Sequence, residues 1–254
     1  FNGFLNKSNV RKIKLKADVI LASNVFAHAD NLNEMAECML SMLKKKGTLI
    51  IEVQYLVNTL KDLTFDNIYH EHYNYWSLTS LINFFKKFKI KIFKVEKINT
   101  HGGSIRVYIN KNQKIKLDKS IIKTLNEEEK FGIKKYKTYQ SFGNKVYKLR
   151  ENFLKNLKKL KINSKKIIGF GAPAKATTAL NFFGVNNEID FIVEDNSLKH
   201  NKIIPGVSIP IYPKTRIKDK NNTIMVLAWN FFDEIKSKNK NLSNEFINMK
   251  ELYE

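Results

Sequence analysis

ADVILASNVFAHADNLNEMAECMLSMLKKKGTLIIEV, residues 17–53, is the stretch on which the fold turns. Residues 17–22 form a short, nearly continuous apolar run, the pattern of a strand buried on both faces of a parallel sheet. A loop follows over residues 23–30. Asn31 then stands where a helix cap belongs, and Glu34 sits three residues later as in a capping box. Leu32, Met35, Ala36, Met39, Leu40 and Leu43 repeat at threes and fours along one apolar face. Lys44, Lys45 and Lys46 suit the negative end of that helix, and Gly47 suits a left-handed cap. Residues 48–53 are the next buried strand. Strand, loop, helix and strand make half of a doubly wound α/β sheet.

Upstream, residues 1–16 are polar and lysine-rich. The chain opens on Phe1 rather than methionine, and the expectation is a fragment of a longer protein. Downstream, Leu78, Leu81, Ile82, Phe85 and Phe88 mark a helix capped by Ser77. Residues 90–97 and 104–110 are two strands with little room for a helix between them, so an antiparallel pair is expected. Such a helix and strand pair after parallel strands resembles the end of a class I methyltransferase sheet, here without its first three strands and their glycine-rich loop. Residues 118–163 read as helical. Tyr139, Phe142, Val146, Leu149, Phe153, Leu157 and Leu160 form the packing stripe of one long helix. A second α/β domain opens with Lys165-Lys166-Ile167-Ile168-Gly169-Phe170-Gly171-Ala172-Pro173-Ala174-Lys175, a strand turning into a helix. Strands at 189–193 and 224–228 complete a small open parallel sheet. The expected organisation is therefore 1–117, a helical connector 118–163, and a Rossmann-like domain 164–254.

Composition narrows the classes. No apolar run reaches the roughly 18–20 residues of a membrane span, and no signal peptide pattern is present. The lone Cys38 excludes an internal disulfide framework or a cysteine-cluster metal site within this chain. A cytoplasmic protein is the default. The 45 Lys and Arg against 24 Asp and Glu give a net charge of +21. The lysines are scattered, however, and the arginines are few (Arg11, Arg106, Arg150, Arg216), so the charge favours anionic substrates in general over nucleic acid.

The chemistry concentrates in Asn67-Ile68-Tyr69-His70-Glu71-His72-Tyr73-Asn74-Tyr75-Trp76-Ser77. Tyr69, Glu71 and His72 form a dense set of proton-transfer groups between a strand and a helix, where α/β enzymes carry chemistry. His28 follows the first strand at the carboxyl edge of the sheet. Gly102 and Gly103 permit close backbone approach before a strand. A His-x-His metal site is not expected, because no third ligand is fixed nearby. In the second domain, Gly169-x-Gly171 permits backbone N–H groups to approach a phosphate at a helix start, with Ala174 in place of a third glycine and Lys175 beside it. Glu194 or Asp195 could meet a ribose hydroxyl. An NAD(P)-dependent oxidoreductase built on that turn, or a non-catalytic sugar-nucleotide-binding remnant, are the alternatives.

Taken together the motifs resemble the sugar-nucleotide C-methyltransferase family, enzymes that methylate a ring carbon of a keto-deoxysugar. The matching pieces are Asn24-Val25-Phe26-Ala27-His28 with Asp30; Ile68-Tyr69-His70-Glu71-His72-Tyr73 with Tyr75 and Ser77; Thr100-His101-Gly102-Gly103-Ser104-Ile105-Arg106; the Gly169 to Lys175 turn; Asp195-Asn196 with Lys199; Pro205-Gly206; and Trp229-Asn230-Phe231. The resemblance implies S-adenosylmethionine as cofactor, a sugar nucleotide as substrate, and a zinc-binding domain preceding this stretch. It implies His72 as the base, with Glu71 orienting it or holding substrate. Tyr69 and His28 would donate to an enolate oxygen or relay the proton. Asn24, His101, Gly102 and Gly103 would line the cleft, and Gly169, Gly171, Lys175, Asp195, Trp229 and Asn230 would meet the nucleotide.

Overall fold

The computed structural model describes residues 2–100, 102–163, 166–185, 187–243 and 245–254. The chain divides into two compact units, Phe1–Thr64 with His70–Gln140, and Phe65–Tyr69 with Ser141–Glu254.

The first unit carries α1 (Lys7–Val10), β1 (Ala17–Ser23), α2 (Leu32–Met42), β2 (Leu43–Gln54), α3 (Leu56–Lys61), α4 (Leu78–Lys86), β3 (Lys91–Ile98), β4 (Ser104–Asn110) and α5 (Lys119–Phe131). Its sheet has the order β1-β2-β4-β3. β1 and β2 run parallel, while β4 is antiparallel to both of its neighbours. The short link between β3 and β4 leaves no space for a crossover, so the strands must reverse. Local signals set the helix starts. The Asn31 side chain accepts from the Glu34 N–H at 3.1 Å, and Ser77 and Ser80 cap α4 reciprocally. Ala22, Phe26, Met39, Leu49, Ile51, Leu81, Phe85, Ile105 and Val107 pack one core.

Two expectations are corrected here. Gly47 is not a helix cap: α2 ends at Met42, and the chain is extended from Leu43. Pairing with β1 captures residues that the helix pattern claimed. A Cβ at Gly47 would lie 2.9 Å from the Asp18 carbonyl, so glycine is required there by the close approach of β1. Lys44 correspondingly pairs with Asp18 at 2.7 Å. β1 is also not buried on both faces. Ile20 and Ala22 join the core, but Val19 and Leu21 on the opposite face are 58% and 63% exposed. β1 is an edge strand of this sheet, and apolar patterning expects a cover that the described elements do not place there.

α6 (Tyr136–Asn163) begins in the first unit and continues into the second. The second unit then holds β5 (Ile167–Phe170), α7 (Ala174–Phe183), β6 (Phe191–Val193), β7 (Ile211–Tyr212), β8 (Thr223–Val226), α8 (Phe232–Lys238) and β9 (Glu245–Asn248). The sheet order is β7-β6-β5-β8-β9, with every pair parallel. β7 and β9 were not read from the sequence: β7 has only two residues, and β9 lacks the continuous apolar run that marks β5 and β8. Phe153 of α6 stacks on Phe183 of α7 with centroids 3.9 Å apart. Among the described residues no helix is long and apolar enough to cross a membrane.

Candidate functional site

In the first unit the chemistry gathers just beyond the carboxyl end of β1. A 3₁₀ turn, Phe26–His28, buries Phe26 completely, which fixes the backbone while His28 stays exposed. Phe26 packs against the tilted Trp76 ring at 5.4 Å and stacks on Phe85 at 5.7 Å. That aromatic cluster joins the loop after β1 to the loop before α4. A main-chain bond from Tyr73 N–H to the Ala27 carbonyl, 3.1 Å, ties the same two loops. The outcome is that the His28 and His72 rings meet with centroids 4.8 Å apart. Tyr75 stands edge-on to His72 at 6.4 Å.

His28 Nδ1 lies 2.8 Å from the Glu71 carbonyl oxygen. A carbonyl only accepts, so Nδ1 carries the proton, and Nε2 of the neutral ring is left as an acceptor. Glu71 thus engages the pair through its main chain, and through His28; its side chain stands exposed. The Asp30 charge beside the Tyr73 hydroxyl, with which it is hydrogen-bonded, holds that phenol above its ordinary range. Tyr69 belongs to the Phe65–Tyr69 segment of the second unit.

A second group lies at the carboxyl ends of β1, β2 and the start of β4. Asn24 has φ 54°, and its N–H donates to the Glu52 carbonyl at 3.0 Å. Gly102 and Gly103 both have positive φ, 85° and 105°. A Cβ at Gly103 would lie 2.6 Å from Asn58, so this turn needs its second glycine for packing as well as conformation. His101 lies outside the described residues.

In the second unit the glycine turn is used by the fold itself. The Gly171 N–H donates to the Val193 carbonyl at 2.8 Å. The Ala172 N–H donates to the Glu194 carboxylate at 2.8 Å. Glu194 also accepts from Asp195 and Asn196 N–H at 2.8 and 3.1 Å. The Gly171 and Ala172 N–H groups are thus engaged within the fold, and three main-chain N–H groups hold the Glu194 carboxylate. A Cβ at Gly169 would lie 2.7 Å from Ile192 and 3.0 Å from Leu227, so glycine there answers to sheet packing. Asp195 pairs with Lys214 at 2.8 Å. Asn230 is exposed in a 3₁₀ turn after β8.

Lys175 and Trp229 do come together, at the carboxyl edge of the parallel sheet. The Lys175 ammonium is 5.1 Å from the Trp229 ring centroid, and that of Lys250 is 3.7 Å. Sequence reasoning missed their partner. Asp66, 2% exposed, accepts from Trp229 Nε1 at 2.6 Å. Burial raises the Asp66 carboxyl above its ordinary range, opposed by the Trp229 hydrogen bond and then by Lys175. Burial lowers Lys175, opposed by the Asp66 charge. Asp66 stood directly before the polar stretch singled out at Asn67. A lone carboxylate 163 residues from Trp229 carries no local signal. Among the described residues no group of three or more metal-ligating side chains is placed to hold an ion.

Parallel strands joined through a helix, followed by a helix and an antiparallel pair, define a mixed α/β protein of the methyltransferase class; residues 4–93 match the model of a methyltransferase domain. Residues 99–248, more than half of the chain, match the model of a C-methyltransferase C-terminal domain, and the chain belongs to that family. It is 31% identical over 222 residues to the C-methyltransferase NovU of Streptomyces niveus. The match covers 86% of this chain and 53% of the relative, so the chain spans about half the length of the curated relative it matches.

Proposed function

We propose that this chain is the later part of an S-adenosylmethionine-dependent C-methyltransferase acting on a nucleotide-linked keto-deoxysugar. The observation that carries the reading is the His28–His72 pair beside the carboxyl end of a parallel strand, in a chain of the C-methyltransferase family.

A carbon next to a ketone is weakly acidic. His72 removes its proton, the electron pair moves onto the ketone oxygen as an enolate, and the imidazole holds the proton. His28, oriented through Nδ1, offers Nε2 as the next acceptor, so the pair can pass the proton on. When bound, S-adenosylmethionine supplies the methyl group as an electrophile for the enolate carbon. The residues present fit one side of that cofactor: the loop between β1 and α2, residues 24–31, opens at the carboxyl end of a parallel strand, where ligands of such sheets bind. This chain's part is one wall, with Asn24 and the Gly102–Gly103 turn. Within the second unit, Lys175 and Trp229, side by side, are the candidate nucleotide contacts.

The test separates proton abstraction from methyl transfer. The native-length protein is incubated in D2O with thymidine-diphosphate-linked 4-keto-6-deoxyglucose, and deuterium entry next to the ketone is followed by mass spectrometry. His72→Asn should slow that entry by about 10²–10⁴-fold. Exchange within a few-fold of wild type would remove His72 as the base. Methyl transfer, read as the mass gain of one methylene when the methyl donor is added, completes the assay.

A further inference from the structure

The two loops proposed to line the cleft of the first unit share one fastening point that neither motif contains. Glu52 lies near the end of β2. Its side chain is 5% exposed although the Arg106 side chain beside it is 36% exposed. Its main-chain carbonyl holds the Asn24 N–H. Its carboxylate divides between two partners: one oxygen accepts from Arg106 Nε and Nη2 at 3.2 and 2.8 Å, and the other accepts from the Thr100 hydroxyl at 3.2 Å.

Thr100 begins the turn that leads to Gly102 and Gly103. Its carbonyl accepts from the Gly103 N–H at 2.9 Å and from the Ser104 hydroxyl at 3.1 Å. The Gly103 carbonyl in turn accepts from Tyr55 N–H at 3.1 Å. The turn is thus closed on Thr100, and the Thr100 side chain is tied to Glu52. A cross-strand glutamate–arginine pair by itself asks for nothing more than Arg106, its register partner. The second oxygen reaches out of the strand pair to a loop. A nearly buried carboxylate whose oxygens are both engaged holds its partners in one geometry, because releasing either leaves a charge without a donor.

We propose that Glu52 is a positioning residue for the reaction: through its carbonyl it sets the Asn24 corner, and through Thr100 it sets the Gly102–Gly103 turn, so that both walls of the cleft are held by one side of β2. Arg106 keeps the carboxylate oriented toward Thr100. The inference rests on the reading that these two loops face the substrate of the His72 reaction.

Thr100→Val removes one hydroxyl and leaves the Glu52–Arg106 pair, whereas Thr100→Ser keeps the hydroxyl. With the native-length protein at saturating sugar nucleotide, Thr100→Val should slow deuterium entry next to the ketone by about 10–100-fold, the scale of an ångström's misplacement. Thr100→Ser should stay within about two-fold of wild type on the same scale and should melt with it, whereas Thr100→Val should remain folded with a midpoint lowered by the Glu52 oxygen left without a donor. Glu52→Gln should slow the same exchange at least as much as Thr100→Val. A Thr100→Val rate equal to wild type, in a protein where His72→Asn abolishes exchange, overturns the positioning role and leaves the proposed function standing. Absence of exchange in the wild type overturns the proposed function instead. The tether is then read without substrate, by amide hydrogen exchange. Thr100→Val should speed exchange at the Gly103 N–H by tenfold or more while β4 amides keep their protection. Unchanged protection at Gly103 overturns the proposal.

Discussion

Glu128 offers the sharpest test of how the first unit holds the loop that carries His72. It lies on α5 and is 0% exposed, yet it has no basic partner in the described ion pairs. Its carboxylate instead accepts from four donors. Leu78 N–H and the Tyr55 hydroxyl reach one oxygen at 2.6 and 3.0 Å. Thr79 N–H and the Thr79 hydroxyl reach the other at 2.9 and 2.6 Å. Leu78 and Thr79 are the first residues of α4, so a carboxylate from another helix caps a buried helix start, where the N–H groups and the helix dipole favour negative charge. Burial and the Glu128 charge together hold the Tyr55 phenol far above its ordinary range.

Glu128→Ala strands two main-chain N–H groups in the core. At about 1–3 kcal/mol for each buried donor left bare, the loss is about 2–6 kcal/mol before any cavity is counted. Glu128→Gln keeps the volume and one oxygen, but its NH2 must face two donors. It should still cost about 2–4 kcal/mol. Equilibrium urea unfolding, followed by circular dichroism at neutral pH, measures both. A Glu128→Gln loss below about 1 kcal/mol would refute the reasoning, since a neutral amide would then cap α4 as well as a carboxylate does. Because the His72 loop runs directly into α4, the same variant should also slow deuterium entry next to the ketone.

Gly169→Ala should destabilise the second unit by about 1–3 kcal/mol through overpacking against Ile192 and Leu227; urea unfolding within experimental error of wild type would show that the glycine does not answer to packing. Burial raises the Asp66 carboxyl above its unfolded value, so its contribution to stability is fully present below about pH 3.9 and is lost as pH rises through the folded value. Thermal unfolding between about pH 4 and 7 should therefore show a downward slope for wild type relative to Asp66→Asn, and an upward relative slope would reverse the assignment.

Much of the first unit was legible because its signals are local. The apolar run of β1, the Asn31 and Ser77 caps, and the tight link between β3 and β4 each act over a few residues. The Gly169 turn and the strand before it were legible for the same reason, but the role given to the turn was not. Its N–H groups went to Val193 and Glu194, on the neighbouring strand and the loop after it. Gly47 was claimed by a helix pattern and used by a strand, since pairing with β1 outweighs a cap. His28 and His72 were both named from sequence, yet only the Phe26, Trp76 and Phe85 cluster decides that their rings meet. Asp66, Glu128 and Glu52 gave no sign, being single carboxylates whose partners lie 48 to 163 residues away. The sequence by itself determined where the capped helices and the apolar strands begin, because caps and periodicity are short-range. Which buried charge meets which donor was decided only by the tertiary structure, because a desolvated carboxylate takes its partners from wherever the chain has folded back upon it.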